Sequence, residues 1–352
     1  MTSRETRFLV IGAGPTGLGA AAHLTELGQD HLLVEAGATV GGMAGSIRDR
    51  QGFTWDLGGH VSASRFPEFD SAVGKSGVDL VQVRGDAATW EGGRLVARPL
   101  EAFRYPIGGT GALWSGVHDA LLEPARVELA TSVVHLDLRR RLAYLATGHK
   151  IHYEYCISSA PLTELLDWVG EEEYGRRLRA AGVLALGLGV AGSAPPALAD
   201  KAWLTCPDQQ LPWHRATILS NYEPGLAGPD RWSVLLEIPI VSPRGFDPEQ
   251  AIRDTVSSLR PLGVDPQALV SEWHRPIRYG YPVPTPDRDS VLRYTDEVLR
   301  AGGVYSRGRF GGWRSEAGDQ DWAYVQGRQA VDHILYADPE DAYWFPERFD
   351  HP

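Results

Sequence analysis

Cysteine and lysine are nearly missing from this chain, and each shortage narrows what it can be. Among 352 residues there are two cysteines, Cys156 and Cys206, far apart and in no metal-ligand spacing. That excludes a disulfide framework and a cysteine-built metal centre, and it leaves two reduced thiols in or near the core of a cytoplasmic protein. Lysine occurs at Lys75, Lys150 and Lys201 only, against 34 basic residues in all, the usage expected of a high-GC bacterial genome. No apolar run approaches the length of a membrane span, and "FLVIGAG" near the start is too short for a signal peptide. Positive charge is scarce as well. The net charge of −11 argues against a nucleic-acid partner, while leaving room for one basic cleft that takes a small anion. No repeat and no low-complexity tract is present. The length suits about two domains with a sizeable core.

What the chain does have is glycine at telling places. The stretch "RFLVIGAGPTGLGAAAHLTELGQDHLLVEA" reads as strand, glycine-rich turn, helix and strand. Phe8 to Ile11 is a short buried strand. Gly12 permits a tight turn, Gly14 lets the backbone approach a pyrophosphate, and Gly17 allows close helix–strand packing, with Pro15 and Thr16 opening the helix. Glu35, followed by Ala36, ends the second strand about twenty residues on, where a carboxylate accepts ribose hydroxyls. Together these predict a dinucleotide site. Directly after come Gly41, Gly42, Met43 and Ala44, a second glycine loop suited to packing on a diphosphate that stays bound. An NAD-only domain has no need of it, so the expected cofactor is FAD. The opening resembles that of the flavin amine-oxidase and glutathione-reductase-like groups, with Met43 where those groups usually carry arginine.

Further along, "DLGGHVSASRF" places Gly58 and Gly59 just before His60, with Arg65 five residues later. Residues 52–103 read as short strands and loops with little helix. "PIGGTGALWSGVHDALLEPARVELATSVVHLDLR" reads as a glycine-rich helix start, a helix and then strands, and Val134 in it joins the expected cofactor contacts. Several strand-like runs follow between Val183 and Ile240, and residues 247–260 read as helix. The runs Glu171–Glu173 and Arg139–Arg141 are read as solvated faces. Near the end, "VYSRGRFGGWRSEAGDQDWAYVQGRQAVDHIL" is a strand, a glycine-rich loop and a helix starting near Asp319. Gly318, Asp319 and Gln320 would turn free N–H groups toward the cofactor; the plainer alternative is a helix that Asp319 caps. The fold expected is α/β: a Rossmann-like FAD-binding domain from 1–60, 104–165 and 300–338, a sheet-rich substrate domain from 61–103 and 166–299, and a tail over 339–352.

Six stretches carry a more specific likeness: "IGAGPTGLGAAAHL", "DLGGHV", "FRYPIGGTGALW", "WHRATILSNY", "SRGRFGGWRSEAGDQD" and, more weakly, "GYPVPT". In this order they resemble the UDP-galactopyranose mutases, the eukaryotic-type branch more than the bacterial. The resemblance implies an isomerase, an intramolecular transferase in which reduced FAD attacks the anomeric carbon of a nucleotide sugar through flavin N5. The ring then opens and recloses as pyranose or furanose with no net redox change. NAD(P)H is one candidate reductant, the physiological one being left open by the sequence, and a nucleotide sugar is the expected partner, with neither nucleic acid nor membrane. By the same resemblance His60 lies near N5, and Arg215 and Tyr281 bind the diphosphate. Arg309 lies beside the flavin and favours its anionic reduced form, and Trp203 walls the sugar pocket.

The departures are as specific. Only "TWEGGRLVARPLEA" fills the place of the family's largely helical insertion. Ala63 stands where the eukaryotic-type branch stacks an aromatic on uracil, and Thr205 and Ser315 stand where it has two diphosphate-binding tyrosines. Arg65 and Arg231 are candidates to supply the lost anion contacts. Two other readings stay open: an FAD-dependent oxidoreductase of the amine-oxidase-like group acting on a small amine, alcohol or sugar, and a flavin-binding scaffold without turnover. Purified protein is expected to be yellow and to release FAD on denaturation, identified by chromatography of the chromophore; colourless protein that binds NAD(P) alone would overturn the cofactor assignment.

Overall fold

The computed structural model describes residues 3–61, 64–207, 210–241 and 244–349; Ala63 lies outside them. Two sheets dominate. The first is built around Ser3–Ile11, paired in parallel with Lys150–Ser158 on one edge and His31–Val34 on the other, and Phe8, Leu9 and Val10 are fully buried because both faces of the sheet are covered. Val127–Glu128 extends it beyond His31–Val34, and Val133–Asp137 with Leu142–Leu145 forms an antiparallel hairpin on the far edge. Val304–Ser306 returns from late in the chain to pair in parallel with Cys156–Ser158. Both cysteines are free and buried.

The turn after the first strand requires glycine. Gly12 has φ +97°, and a Cβ on Gly17 would lie 1.7 Å from the Gly12 carbonyl oxygen, so the helix Pro15–Glu26 can sit this close to the strand only without a side chain there. The late helix, Gln320–Tyr336, crosses this first helix through matched notches. A Cβ on Gly19 would meet the Tyr324 carbonyl oxygen at 2.1 Å, and one on Gly327 would meet that of Thr16 at 2.0 Å. The start of the late helix is thereby held beside the first glycine turn.

The second sheet runs in the order Leu269–Val283, Arg179–Ala191, Arg231–Ile240, Arg215–Thr217, Lys201–Thr205, Asp86–Glu91, Arg94–Arg98. The run "VLALGLGV" explains its two faces. Leu184, Leu186 and Leu188 alternate into a core shared with Trp213, Val234, Leu236 and Ile238. Ala185, Gly187 and Gly189 present almost no side chain to the other face, and there Trp55 and Phe53 lie directly on the backbone. This contact delivers the strand Thr54–Asp56, and the Gly58–His60 stretch after it, to the sheet.

Several elements differ from the sequence reading. Residues 52–103 include the helix Pro67–Lys75, and Arg288–Ala301 is a fourteen-residue helix that the reading passed over. Within the segment read as a tail, Glu340 and Tyr343 are buried. Arg307, 1% exposed, makes two hydrogen bonds to the Glu340 carboxylate, at 2.6 and 2.7 Å, and one to Asp296 at 2.9 Å. The chain after the late helix is therefore part of the core. No helix among the described residues is long and apolar enough to cross a membrane.

Gly187→Ala is expected to destabilise the fold by about 1–3 kcal/mol, because its Cβ would overlap the Trp55 indole at 2.6 Å. Gly74→Ala, where nothing lies within 4 Å in a helix, is expected to stabilise it by about 0.5–1 kcal/mol. Urea unfolding midpoints of the two variants check the pair.

Candidate cofactor and substrate site

At the carboxyl end of the first strand the two glycine loops pack on each other. The Gly41 N–H donates to the Ala13 carbonyl at 2.8 Å, and a Cβ on Gly42 would stand 3.1 Å from the Gly14 Cα. Glu35 ties the turn together. One carboxylate oxygen accepts the Ala13 N–H at 2.7 Å and the other the Gly37 N–H at 2.6 Å, so the acidic side chain is held where a ribose would reach it. Pro15 and the buried Thr16 begin the helix, whose first-turn N–H groups lack helical acceptors and face an incoming phosphate. Met43 and the buried Ala44 complete the second loop, and Ala36 is exposed beside Glu35. Val134 is half exposed on the edge strand Val133–Asp137.

The late glycine loop closes over this cradle. Gly308, at φ +90°, sits against the Thr16 hydroxyl, and its N–H donates to the Gln326 side chain at 2.8 Å. Gly318 and Asp319 lead into the late helix. Asp319 occupies the N-cap position of that helix as the plainer reading has it, but its side chain makes no capping hydrogen bond. The Gln320 amide is fixed from both sides: its oxygen accepts from the Trp114 indole at 2.7 Å, and its nitrogen donates to the Val61 carbonyl at 3.3 Å.

Beside the cradle, Asp56 anchors the Gly58–His60 stretch. It is buried and accepts from the Tyr105 hydroxyl and the Ser46 hydroxyl, both at 2.6 Å, and from the Thr110 N–H at 3.2 Å. The His60 ring folds back over Gly58, and its Nε2 donates to the Met43 carbonyl at 3.0 Å. A carbonyl only accepts, so this bond fixes the tautomer and leaves Nδ1 as an acceptor. Burial holds the imidazole below its usual pKa, Arg309 adds to that, and Asp56 and Glu237 oppose it. Gly59, which by the sequence resemblance approaches the flavin, also packs closely on protein. A Cβ there would lie 2.4 Å from the Thr217 hydroxyl and 2.8 Å from Arg215 Nε.

Glu237 is the centre of the substrate side. It lies opposite Arg215 in register on the neighbouring strand and is 4% exposed. It accepts from the Tyr281 hydroxyl at 2.6 Å and the Gly59 N–H at 3.3 Å, and His214 Nε2 lies at 3.3 Å. Burial alone would raise its pKa; the His214 hydrogen bond, the Arg215 charge and the Tyr281 hydrogen bond outweigh it and hold the carboxyl down at about 2. Arg215 stacks 5.1 Å from the Trp203 ring, and Arg309 lies 5.0 Å from the Tyr281 ring. Both arginines have a buried Nε with no hydrogen-bond partner among the described residues. A buried donor left open costs about 1–3 kcal/mol, which a ligand oxygen would recover.

Of the residues expected to act on substrate, the fold thus gathers His60, Arg215, Tyr281, Arg309 and Trp203. Arg65 is exposed at the start of the late helix, its backbone N–H donating to Asp321 at 3.2 Å. Arg231 sits at the other end of the strand from Glu237, roughly 20 Å away at the usual rise per residue. It donates to the Gln51 carbonyl at 2.9 Å and covers Phe53. Thr205 pairs with Arg215 in register, and its hydroxyl meets that of Thr89 at 3.3 Å, while Ser315 is exposed. Sequence reasoning passed over Glu237, His214, Thr217 and Asp56. One signal was available: a lone carboxylate inside the apolar run "SVLLEIPI" is either paired or functional.

Residues 10–72 match the family described as NAD(P)-binding Rossmann-like domain. Among solved structures, one of reduced UDP-galactopyranose mutase is 26% identical and superposes with a TM-score of 0.92, covering 98% of this chain and 99% of that one. Wild-type putrescine oxidase bound to putrescine, 12% identical, reaches 0.70 over 95% of this chain and 100% of its own. A CLA-producing fatty acid isomerase from P. acnes, also 12% identical, reaches 0.72 over 94% and 99%. The fold is therefore α/β and Rossmann-like with a second mixed sheet, the architecture of UDP-galactopyranose mutase and the amine-oxidase flavoproteins.

The Glu237 carboxyl has its pKa lowered from 4.5 to about 2 on folding. The stability it contributes is therefore present above about pH 4.5 and is lost as pH falls toward 2, by at most about 3 kcal/mol. Urea unfolding of wild type and Glu237→Gln between pH 6 and pH 3 should show the difference between the two shrinking toward the acid end.

Proposed function

We propose that the chain binds FAD and, with the flavin reduced, interconverts the pyranose and furanose forms of a nucleoside-diphosphate sugar without net redox change. The observation that carries this reading is the pair of buried, open arginine Nε groups of Arg215 and Arg309 around Tyr281 and Glu237, at the side of a dinucleotide cradle. A small neutral amine or alcohol would bring no negative charge to match two guanidinium groups. The likeness to reduced UDP-galactopyranose mutase over nearly its whole length supports the same reading.

The cradle fits FAD on its own chemistry. Glu35 offers carboxylate oxygens to a ribose, Gly14 and Gly42 let the two glycine loops pack on each other as one backbone cradle for a pyrophosphate, and the first turns of two helices present N–H donors. Reduced FAD would supply an electron-rich nucleophile for the anomeric carbon. The protein's own residues do the rest. Arg215 presents a planar fork to the diphosphate and stabilises its charge as it leaves and returns. Arg309 holds positive charge near the flavin, which favours the anionic reduced form. His60, with Nε2 bonded to the Met43 carbonyl, keeps Nδ1 as an acceptor. Trp203, under Arg215, walls the sugar side.

Base recognition is proposed to be weak. The described segment between Asp56 and Phe103 holds one nine-residue helix and three strands, in place of a helical domain that would enclose a base. Loss of a stacking aromatic costs roughly 1–3 kcal/mol, so binding concentrates on the diphosphate and sugar. Anaerobic, dithionite-reduced protein incubated with a panel of nucleoside-diphosphate sugars, followed by product separation, tests the proposal. Ring-size isomers should form with no stoichiometric loss of reductant, and nucleotides differing in base should be used with similar kcat/KM. Arg215→Ala should lower kcat/KM by about 30-fold or more, equivalent to about 2 kcal/mol. One-to-one consumption of reducing equivalents would instead identify an oxidoreductase.

A further inference from the structure

Tyr281 was expected to donate its proton to a diphosphate, and its hydrogen bonding in the structure assigns that proton elsewhere. A phenol carries one O–H, and that of Tyr281 is 2.6 Å from a Glu237 carboxylate oxygen. Glu237 is buried and ionised, with no proton of its own to give, so the direction of the bond is fixed: tyrosine donates and carboxylate accepts. The carboxylate is itself pinned. The Gly59 N–H and the His214 ring bind it, and its strand is locked in register with Arg215. The tyrosine ring is held from the other side by Arg309, 5.0 Å from its centroid, and by the edge of His214, centroid to centroid 5.8 Å. With its only proton committed, what the half-buried Tyr281 oxygen offers a ligand is lone pairs.

We infer that Tyr281, oriented by Glu237, is a hydrogen-bond acceptor in the site and selects an alcohol hydroxyl, that of a sugar, while phosphate oxygens are taken by Arg215. This rests on the reading above that Arg215 binds phosphate. It divides the site into a donor half for the anion and an acceptor half for the sugar, and it gives the buried carboxylate a specificity role. An anion placed on Tyr281 would meet lone pairs, with the Glu237 charge directly behind them.

The test is calorimetric titration of the FAD-loaded protein with inorganic pyrophosphate, which has no hydroxyl donor at its bridging centre, and with α-D-galactose 1-phosphate, which has several. Tyr281→Phe is expected to leave the pyrophosphate Kd within twofold and to weaken galactose 1-phosphate about tenfold. Pyrophosphate weakened tenfold by Tyr281→Phe would overturn the inference, and so would both ligands left unchanged. Glu237→Ala supplies a second arm. With the carboxylate gone the tyrosine proton is released, and Tyr281→Phe in that background should now weaken pyrophosphate several-fold; an effect equal in both backgrounds overturns the inference. Arg215→Ala separates the two levels: pyrophosphate binding that survives it unchanged sinks the phosphate reading itself, whatever Tyr281 does.

Discussion

A single buried carboxylate, Glu237, sets the geometry of the substrate side. A charge in that position is tolerated only with donors around it, and the donors come from three separate parts of the chain: the Gly59 N–H, His214 and Tyr281. To supply them, the glycine stretch must enter the cleft, the short strand Arg215–Thr217 must pair beside Glu237, and the long strand Leu269–Val283 must bring Tyr281 across Ala181. Arg215 is then carried into place as the residue in register with the carboxylate. Removing one donor would leave the others competing around an under-satisfied charge, so these residues are expected to behave as one unit in double-mutant cycles.

The cofactor half is organised by absence of side chains. Gly17 against Gly12, Gly19 against Tyr324, Gly327 against Thr16 and Gly308 against the Thr16 hydroxyl are all approaches that one methyl group would forbid. They draw the first helix, the late helix and the late loop together at one point. The second sheet uses the same device at Gly187 and Gly189, where Trp55 and Phe53 dock. The two halves meet at Asp56 to His60, which begins on those aromatics and ends under Arg309.

The dinucleotide half was legible in the sequence because its signals are local. Strand, turn, helix and Glu35 lie within one unit, whereas the Glu35 bonds to the Ala13 and Gly37 N–H groups came only with the structure. The helix start at Asp319 was legible for the same reason. The substrate half was only partly so. Arg215, Tyr281 and Arg309 were found through resemblance, whereas Glu237 was passed over because its partners lie far off in sequence and only the register unites them. Arg231 shows the converse: an arginine on the same strand looks equivalent in sequence, and distance along the strand removes it from the site. The helix Arg288–Ala301 was passed over although its alternation buries Val291, Leu292, Thr295 and Leu299 on one face.

The Arg307–Glu340 pair has a consequence for how the protein is made. Arg307 opens the late glycine loop, and its guanidinium is satisfied only when Glu340 and Tyr343 have joined the core beside it. The loop that covers Thr16 and carries Arg309 therefore cannot settle while the chain is still emerging, although the first glycine turn left the ribosome on the order of tens of seconds before, at about 5–20 residues per second. During synthesis the nascent protein has an open half-cradle whose covering loop is not yet present. Anything held in that half-cradle gains its covering loop only after that interval, when the Glu340 segment locks the loop in place.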